Sequence, residues 1–153
     1  MKAPSVKKSV IYLLIAGVLA ISVAHEQGVQ IPGFAPERQA RLDTDAQLRR
    51  AFEQRQGDLQ IKGVGTVSKL LADDNKGSRH QRFSLRLDSG QTLLVAHNID
   101  LAPRIDDLRS VDRGAFFGEY EWSPEGGVIH WTHHDPAGRH LGGWLKHEGR
   151  TYQ

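Results

Sequence analysis

Between Leu59 and His133 apolar residues return at every second position in five short runs, separated by stretches rich in Gly, Asp, Asn and Ser. A period of two marks strands that bury one face, and short runs joined by turn residues fold as a small roll, sandwich or barrel. The first run, Leu59 to Leu71, sets Ile61, Gly63, Gly65 and Val67 on one side, and its two glycines mark places where a bend or bulge costs little. Asp73-Asp74-Asn75-Lys76-Gly77 is a turn. Gln81, Phe83, Leu85 and Leu87 then alternate with His80, Arg82, Ser84 and Arg86, and Asp88-Ser89-Gly90 leads into Thr92–Asn98, which predicts a hairpin. The spacing of Leu101, Ile105 and Leu108 predicts one or two helical turns. Ala115–Trp122 and Val128–His133 follow, joined through Ser123-Pro124-Glu125-Gly126-Gly127.

Strand, strand, strand, short helix, strand, strand is the order of the OB-fold, a five-stranded Greek-key barrel. The expected fold is therefore mainly β, a small OB-like barrel over residues 57–153 with a short helix after strand three; an unrelated five- or six-stranded roll is the alternative. Upstream, Leu48, Ala51, Phe52 and Arg55 fall at helical spacing, which predicts one amphipathic helix over residues 43–56, laid on the domain behind it. Residues 25–42, with Gly, Gln and Pro, read as a linker. The tail from Gly142 to Tyr152 has room for a further strand or hairpin.

The first 24 residues have another character. Lys2, Lys7 and Lys8 precede an apolar run from Val10 to Ile21, and Ser22-Val23-Ala24 offers a small-x-small cleavage site, the layout of an export signal. As a helix the stretch from Val10 to Ala24 rises only about 22 Å, short of a hydrocarbon core of about 30 Å. Cleavage is favoured over retention as an anchor; if retained, the segment is the chain's membrane contact. The expected location is the periplasm, free or tethered to the inner membrane. Without the three leader lysines, 17 basic residues face 18 acidic ones, so the pI near 9.0 belongs largely to the leader and no basic footprint for non-specific nucleic-acid binding remains. With no cysteine, disulfide scaffolds, thiol catalysis and cysteine-ligated zinc are excluded.

Seven of the eight histidines lie between His80 and His147. Three polar groups stand out: Arg79-His80-Gln81-Arg82 at the start of the second strand, His97-Asn98-Ile99-Asp100 at the end of the third, and His130-Trp131-Thr132-His133-His134-Asp135 at the end of the fifth. A hairpin turning between Asp88 and Gln91 brings His80 and His97 to its open end. The candidate binding residues are Arg79, His80, Arg82, His97, Asn98, Asp100, His130 and His133; His80, His97 and Asp100 are the candidates for acid–base catalysis. No cofactor is expected. A divalent metal would draw on His80, His97, His130 and His133, but HExxH is absent and His130 and His134 sit about 13 Å apart on a flat strand. The acidic turn at Asp73 lacks the EF-hand glycine and glutamate positions, and Gly63-Val64-Gly65 lacks the third glycine of a dinucleotide loop. Tyr120, Trp122 and Trp131 offer stacking surface, although Phe116, Tyr120 and Trp122 on one strand face read more simply as core.

Asp73-Asp74-Asn75-Lys76-Gly77-Ser78-Arg79-His80-Gln81-Arg82-Phe83, Ala96-His97-Asn98-Ile99-Asp100-Leu101-Ala102, Gly118-Glu119-Tyr120-Glu121-Trp122 and Gly126-Gly127-Val128-Ile129-His130-Trp131-Thr132-His133 resemble a family of exported bacterial proteins catalogued as a domain of unknown function. The resemblance covers about residues 57–153 and implies no reaction. In strand order the chain also resembles small periplasmic OB-fold proteins, a likeness of fold alone. The functional expectation is a binding module whose polar mouth takes a small anionic ligand or a partner's loop; the alternative is a hydrolase, most naturally of phosphodiesters, with or without a metal.

Overall fold

Eight consecutive antiparallel pairs, from Leu59↔Tyr120 to Thr66↔Arg113, join the first strand to the fourth and turn a curled sheet into a closed ring. The computed structural model describes residues 36–153; the expected leader, and the part of the expected linker before Pro36, lie outside them. A helix, α1 (Pro36–Glu53), precedes β1 (Leu59–Leu70), β2 (His80–Arg86), β3 (Thr92–Asn98), β4 (Arg113–Glu121), β5 (Val128–His130), β6 (Trp144–His147) and β7 (Arg150–Tyr152). Around the ring the order is β1-β2-β3-β5-β4 and back to β1, with β3 and β5 parallel. The mainly β, OB-like five-stranded barrel is thus what the chain forms, and the tail adds the β6–β7 hairpin along the first half of β4.

Alternation places Val67, Phe83, Leu85, Leu93, Val95, Phe116, Tyr120 and Ile129 inside, each at most 4% exposed. Burying each of the larger of these side chains contributes about 1.5–3 kcal/mol. The closing ladder works because large inward residues face small ones: Gly63 lies opposite Phe116, and Gly118 opposite Ile61. A Cβ on Gly63 would run into the Phe116 ring. The register irregularity of β1 falls between Val67 and Lys69, so Gly63 makes room for a ring and is not the bulge its sequence suggested.

Helix α1 starts at Pro36, seven residues before the helix expected at 43. Proline's missing N–H is harmless in the first turn and Glu37 there suits the helix dipole. Leu48 and Ala51 are buried, the Thr44 hydroxyl donates to the Lys62 carbonyl, and buried Asp45 accepts the Ser89 N–H at 2.8 Å. The Trp122 indole, half-buried and stacked on Phe52, donates to the Phe52 carbonyl. These contacts cap the pole formed by the β2–β3 turn, the start of β1 and the end of β4. The opposite pole, where β2 begins and β3 and β5 end, is left to the loops.

The β3–β4 connection forms successive turns instead of the expected helical turns. Pro103 has no N–H to offer, and the buried Gln81 side chain bonds Ile105 in both directions, Nε2 to its carbonyl and Oε1 from its N–H, each at 2.9 Å. Side-chain amide bonds here do what helical backbone bonds would have done. Ala102, Ile105 and Leu108 go inward, while Leu101 is 44% exposed.

Gly90 and Gly127 both adopt positive φ, but a Cβ meets nothing within 4 Å at Gly90 and strikes the Tyr120 ring at Gly127. Gly90→Ala should therefore cost about 1 kcal/mol of backbone strain, and Gly127→Ala roughly 2–4 kcal/mol once overpacking is added. Equal shifts of the urea midpoints in the two variants would contradict the packing described for Tyr120.

Candidate functional site

The uncapped pole gathers the three polar groups, because β2 runs antiparallel to β3 and β5 parallel to it. Strand parity then divides them. His80 pairs with Asn98 and His97 with Gln81, so neighbouring His80 and His97 face opposite sides of the sheet.

His97 points inward with no exposure. The Pro103 carbonyl can only accept, so Nε2–H donates to it at 3.1 Å and Nδ1 faces the buried Thr132 hydroxyl at 2.8 Å. Burial pushes the ring's pKa down to about 4, against the Pro103 bond, and His133 and His80 lower it further. Both nitrogens are committed, which removes His97 from the metal and acid–base candidates: it is a neutral tie between the β3–β4 loop and the end of β5. His133 is also buried, 5% exposed, donating Nδ1–H to the His134 carbonyl beneath Trp131.

The outward candidates form two clusters. At the pole, the Arg79 guanidinium and N–H both bind Asp100 at 2.7 Å, and these bonds hold the Asp100 carboxyl below the usual carboxylate range. The Asn98 side chain accepts the Asp100 N–H, and His80 Nδ1–H donates to the Ser78 carbonyl. Arg82 uses its Nε on the Ala72 carbonyl at 3.0 Å, leaving its two NH2 groups without an acceptor among the described residues.

The second cluster surrounds Glu119, which faces out from β4 opposite His130 of β5. One carboxylate oxygen lies 3.1 Å from His130 Nε2 and the other 2.6 Å from His140 Nε2. Burial lowers the His130 pKa in spite of Glu119 and Glu121. At His140 burial also works against charge but is outweighed by the bonds to Glu119 and the Leu141 carbonyl, so its pKa is raised. With both ring nitrogens facing acceptors, His140 takes the bonding of an imidazolium, stacked on Trp131 at 4.0 Å. Val128–His130 is shorter than the strand expected to reach His133, because Trp131 takes φ 51° and Thr132 turns in under His97.

Arg82 stands across from Ala96, and the parallel register that sets Val95 beside Ile129 brings His130 next along the row. His80, Arg82, Ala96, Asn98 and His130 are all half-buried on this outer face, around the small side chain of Ala96. The sequence alone points to His80, Arg82, Asn98 and His130 as parts of one polar mouth; their alignment on the outer face beside Ala96, and the places of Glu119 and His140, come from the strand register and the loops. The signal for Glu119 was present in Phe117, Glu119 and Glu121 alternating against the inward Phe116, Gly118 and Tyr120; His140 lay in a loop that periodicity does not reach.

A family profile described as "Protein of unknown function (DUF3465)" matches residues 35–153. No curated protein matches the chain.

The His97 environment has a pH signature. Its folded pKa is depressed, so the unfolded chain binds the extra proton; the stability His97 contributes is complete above pH 6.5 and is lost as pH falls through about 4. The loss amounts to about 3 kcal/mol across that window. The difference in unfolding free energy between the wild type and His97→Gln should shrink by that order between pH 7 and pH 4; a constant difference would contradict a neutral, buried His97.

Proposed function

The chain belongs to this DUF3465 family of proteins of unknown function, and we propose that it is an exported binding module that takes a small anionic ligand, or an acidic loop of a partner, on the outer face of β2, β3 and β5. One observation carries the reading: the barrel interior is packed mainly with apolar side chains and keeps a cavity of only about 10 Å³, while Arg82, Ala96 and His130 line up on the half-exposed outer face. A closed, filled barrel must bind on its outside, and in OB-folds the strand 2–3 face with its adjoining loops is where ligands are held. The NH2 groups of Arg82, without an acceptor among the described residues, suit two parallel bonds to a carboxylate or phosphate. The lysine-flanked apolar leader supports export to the periplasm, free or inner-membrane-tethered. Among the described residues no helix is long and apolar enough to cross a membrane.

A hydrolase is the second reading, favoured by one feature: burial keeps His130 in its basic form beside the Glu119 carboxylate. Its catalyst would be that pair, with neither His80–His97 nor Asp100, since His97 is internally bonded and Asp100 is held by Arg79.

Titration of the 15N-labelled chain with inorganic phosphate, phenyl phosphate and citrate tests the binding reading. Saturable shifts are expected at the amides of residues 80–82 and 96–98, weakened roughly tenfold or more by Arg82→Ala. Absence of saturation with all three probes, or shifts indifferent to Arg82→Ala, would count against it. Turnover of bis(p-nitrophenyl) phosphate abolished by His130→Ala would favour the hydrolase instead.

A further inference from the structure

His147 ends β6 with its ring turned into the protein, 2% exposed. Nε2 lies 2.9 Å from Asp112 Oδ2, which also accepts the Arg109 N–H at 2.8 Å. An ionised carboxylate only accepts, so His147 Nε2 carries the hydrogen and, in the neutral ring, Nδ1 carries a lone pair. That Nδ1 is buried without a hydrogen-bond partner among the described residues, and it faces the Asp107 carboxylate at 3.8 Å. The next residue, Glu148, brings a second carboxylate, and one potential ligand atom from each of the three residues lies within 4.8 Å of the others. A lone pair and two carboxylates converging at the protein edge repel one another unless positive charge stands between them.

We propose that His147 Nδ1, Asp107 and Glu148 bind one divalent transition-metal ion, with Asp112 orienting the imidazole from behind. One imidazole and two carboxylates suit zinc, manganese or cobalt(II) more than calcium, which prefers an all-oxygen shell. Bonds of about 2.0–2.2 Å place ligand atoms roughly 3–3.5 Å apart, so the observed spacing needs only small side-chain adjustments. A carboxylate behind a metal-binding histidine fixes its tautomer and raises its basicity, which is the arrangement Asp112 makes. Asp107 and Glu148 are exposed, so the ion enters from solvent and keeps water in its remaining positions. The ion would tie the β3–β4 connection to the turn of the β6–β7 hairpin.

The Glu119, Glu121 and His130 group meets the same distance criterion but has other commitments. Both Glu119 oxygens face imidazoles, and Glu121 accepts the Asp58 N–H at 3.1 Å. His130 Nε2 is likewise buried without a hydrogen bond, but it already lies 3.1 Å from Glu119, and no carboxylate among the described residues bonds the other nitrogen of its ring as Asp112 does for His147.

The full chain, stripped with chelator, is titrated with zinc and cobalt(II) and followed by calorimetry, cobalt absorption and thermal unfolding. One equivalent binds with a Kd of about 1–10 μM and raises Tm. Long-range 1H–15N spectra show His147 protonated at Nε2, with Nδ1 shifting on metal addition. Asp107→Asn and Glu148→Gln, both at exposed positions, each weaken binding roughly tenfold or more, while Glu119→Gln leaves it intact. No binding at about 1 mM zinc, affinity insensitive to both exposed variants, loss on Glu119→Gln, or a His147 ring protonated at both nitrogens in the presence of metal would each overturn the assignment.

Discussion

The β1–β4 ladder is the contact on which the rest of the molecule depends. Without it, β1 and β4 would be edges of a curled sheet, and Phe116 and Tyr120 would lie against water. In its middle the ladder sets a large inward side chain against a small one, as Phe116 meets Gly63 and Ile61 meets Gly118, while Tyr120 meets Leu59 at its end. Apolar side chains take up most of the space inside, with buried Gln81, His97 and Thr132 among them and a cavity of only about 10 Å³ left beside Val67, Phe83, Val95 and Leu145. Closure and filling together displace any ligand chemistry to the outer faces, the uncapped pole and the loops.

That displacement explains the fate of the histidines. Topology brings the start of β2 and the ends of β3 and β5 to one pole, but pleating sends adjacent side chains to opposite faces. His97 falls inside and is neutral, bonded at both nitrogens. His80 falls outside near Arg82. His130 turns toward Glu119 on β4, where His140 joins it from the β5–β6 loop. The helix occupies the other pole, through Leu48, Asp45 and the Phe52–Trp122 stack, and among the described residues no helix covers the histidine-rich pole.

Much of the fold was legible from alternation, because the inward set Ile61, Gly63, Gly65, Val67 and the set Gln81, Phe83, Leu85, Leu87 are buried as the period of two requires. The β2–β3 hairpin was legible from Asp88-Ser89-Gly90. The β3–β4 connection was not, since its conformation is set by the Gln81 side chain reaching across from another strand. The start of α1 was obscured by proline, which marks a linker and a helix N-terminus equally well. The candidate site was half legible: proximity followed from topology, but grouping His80 with His97 ignored the parity that separates them. Alternation marks Glu119 as outward, but its meeting with His130, like the roles of Asp112 and His147, depends on pairings between distant segments, and spacing along the chain carries no trace of those.

Native-state hydrogen exchange across the β1–β4 ladder bears most directly on barrel closure. The amides of residues 61–64 and 116–118 should exchange only through global unfolding, with an opening free energy equal to that from denaturant titration and to that of the β2–β3 hairpin. If those amides exchange through a cheaper local opening while the hairpin stays protected, the ring is not closed in solution. The interior would then be accessible, and the case for an external binding face would fall with it.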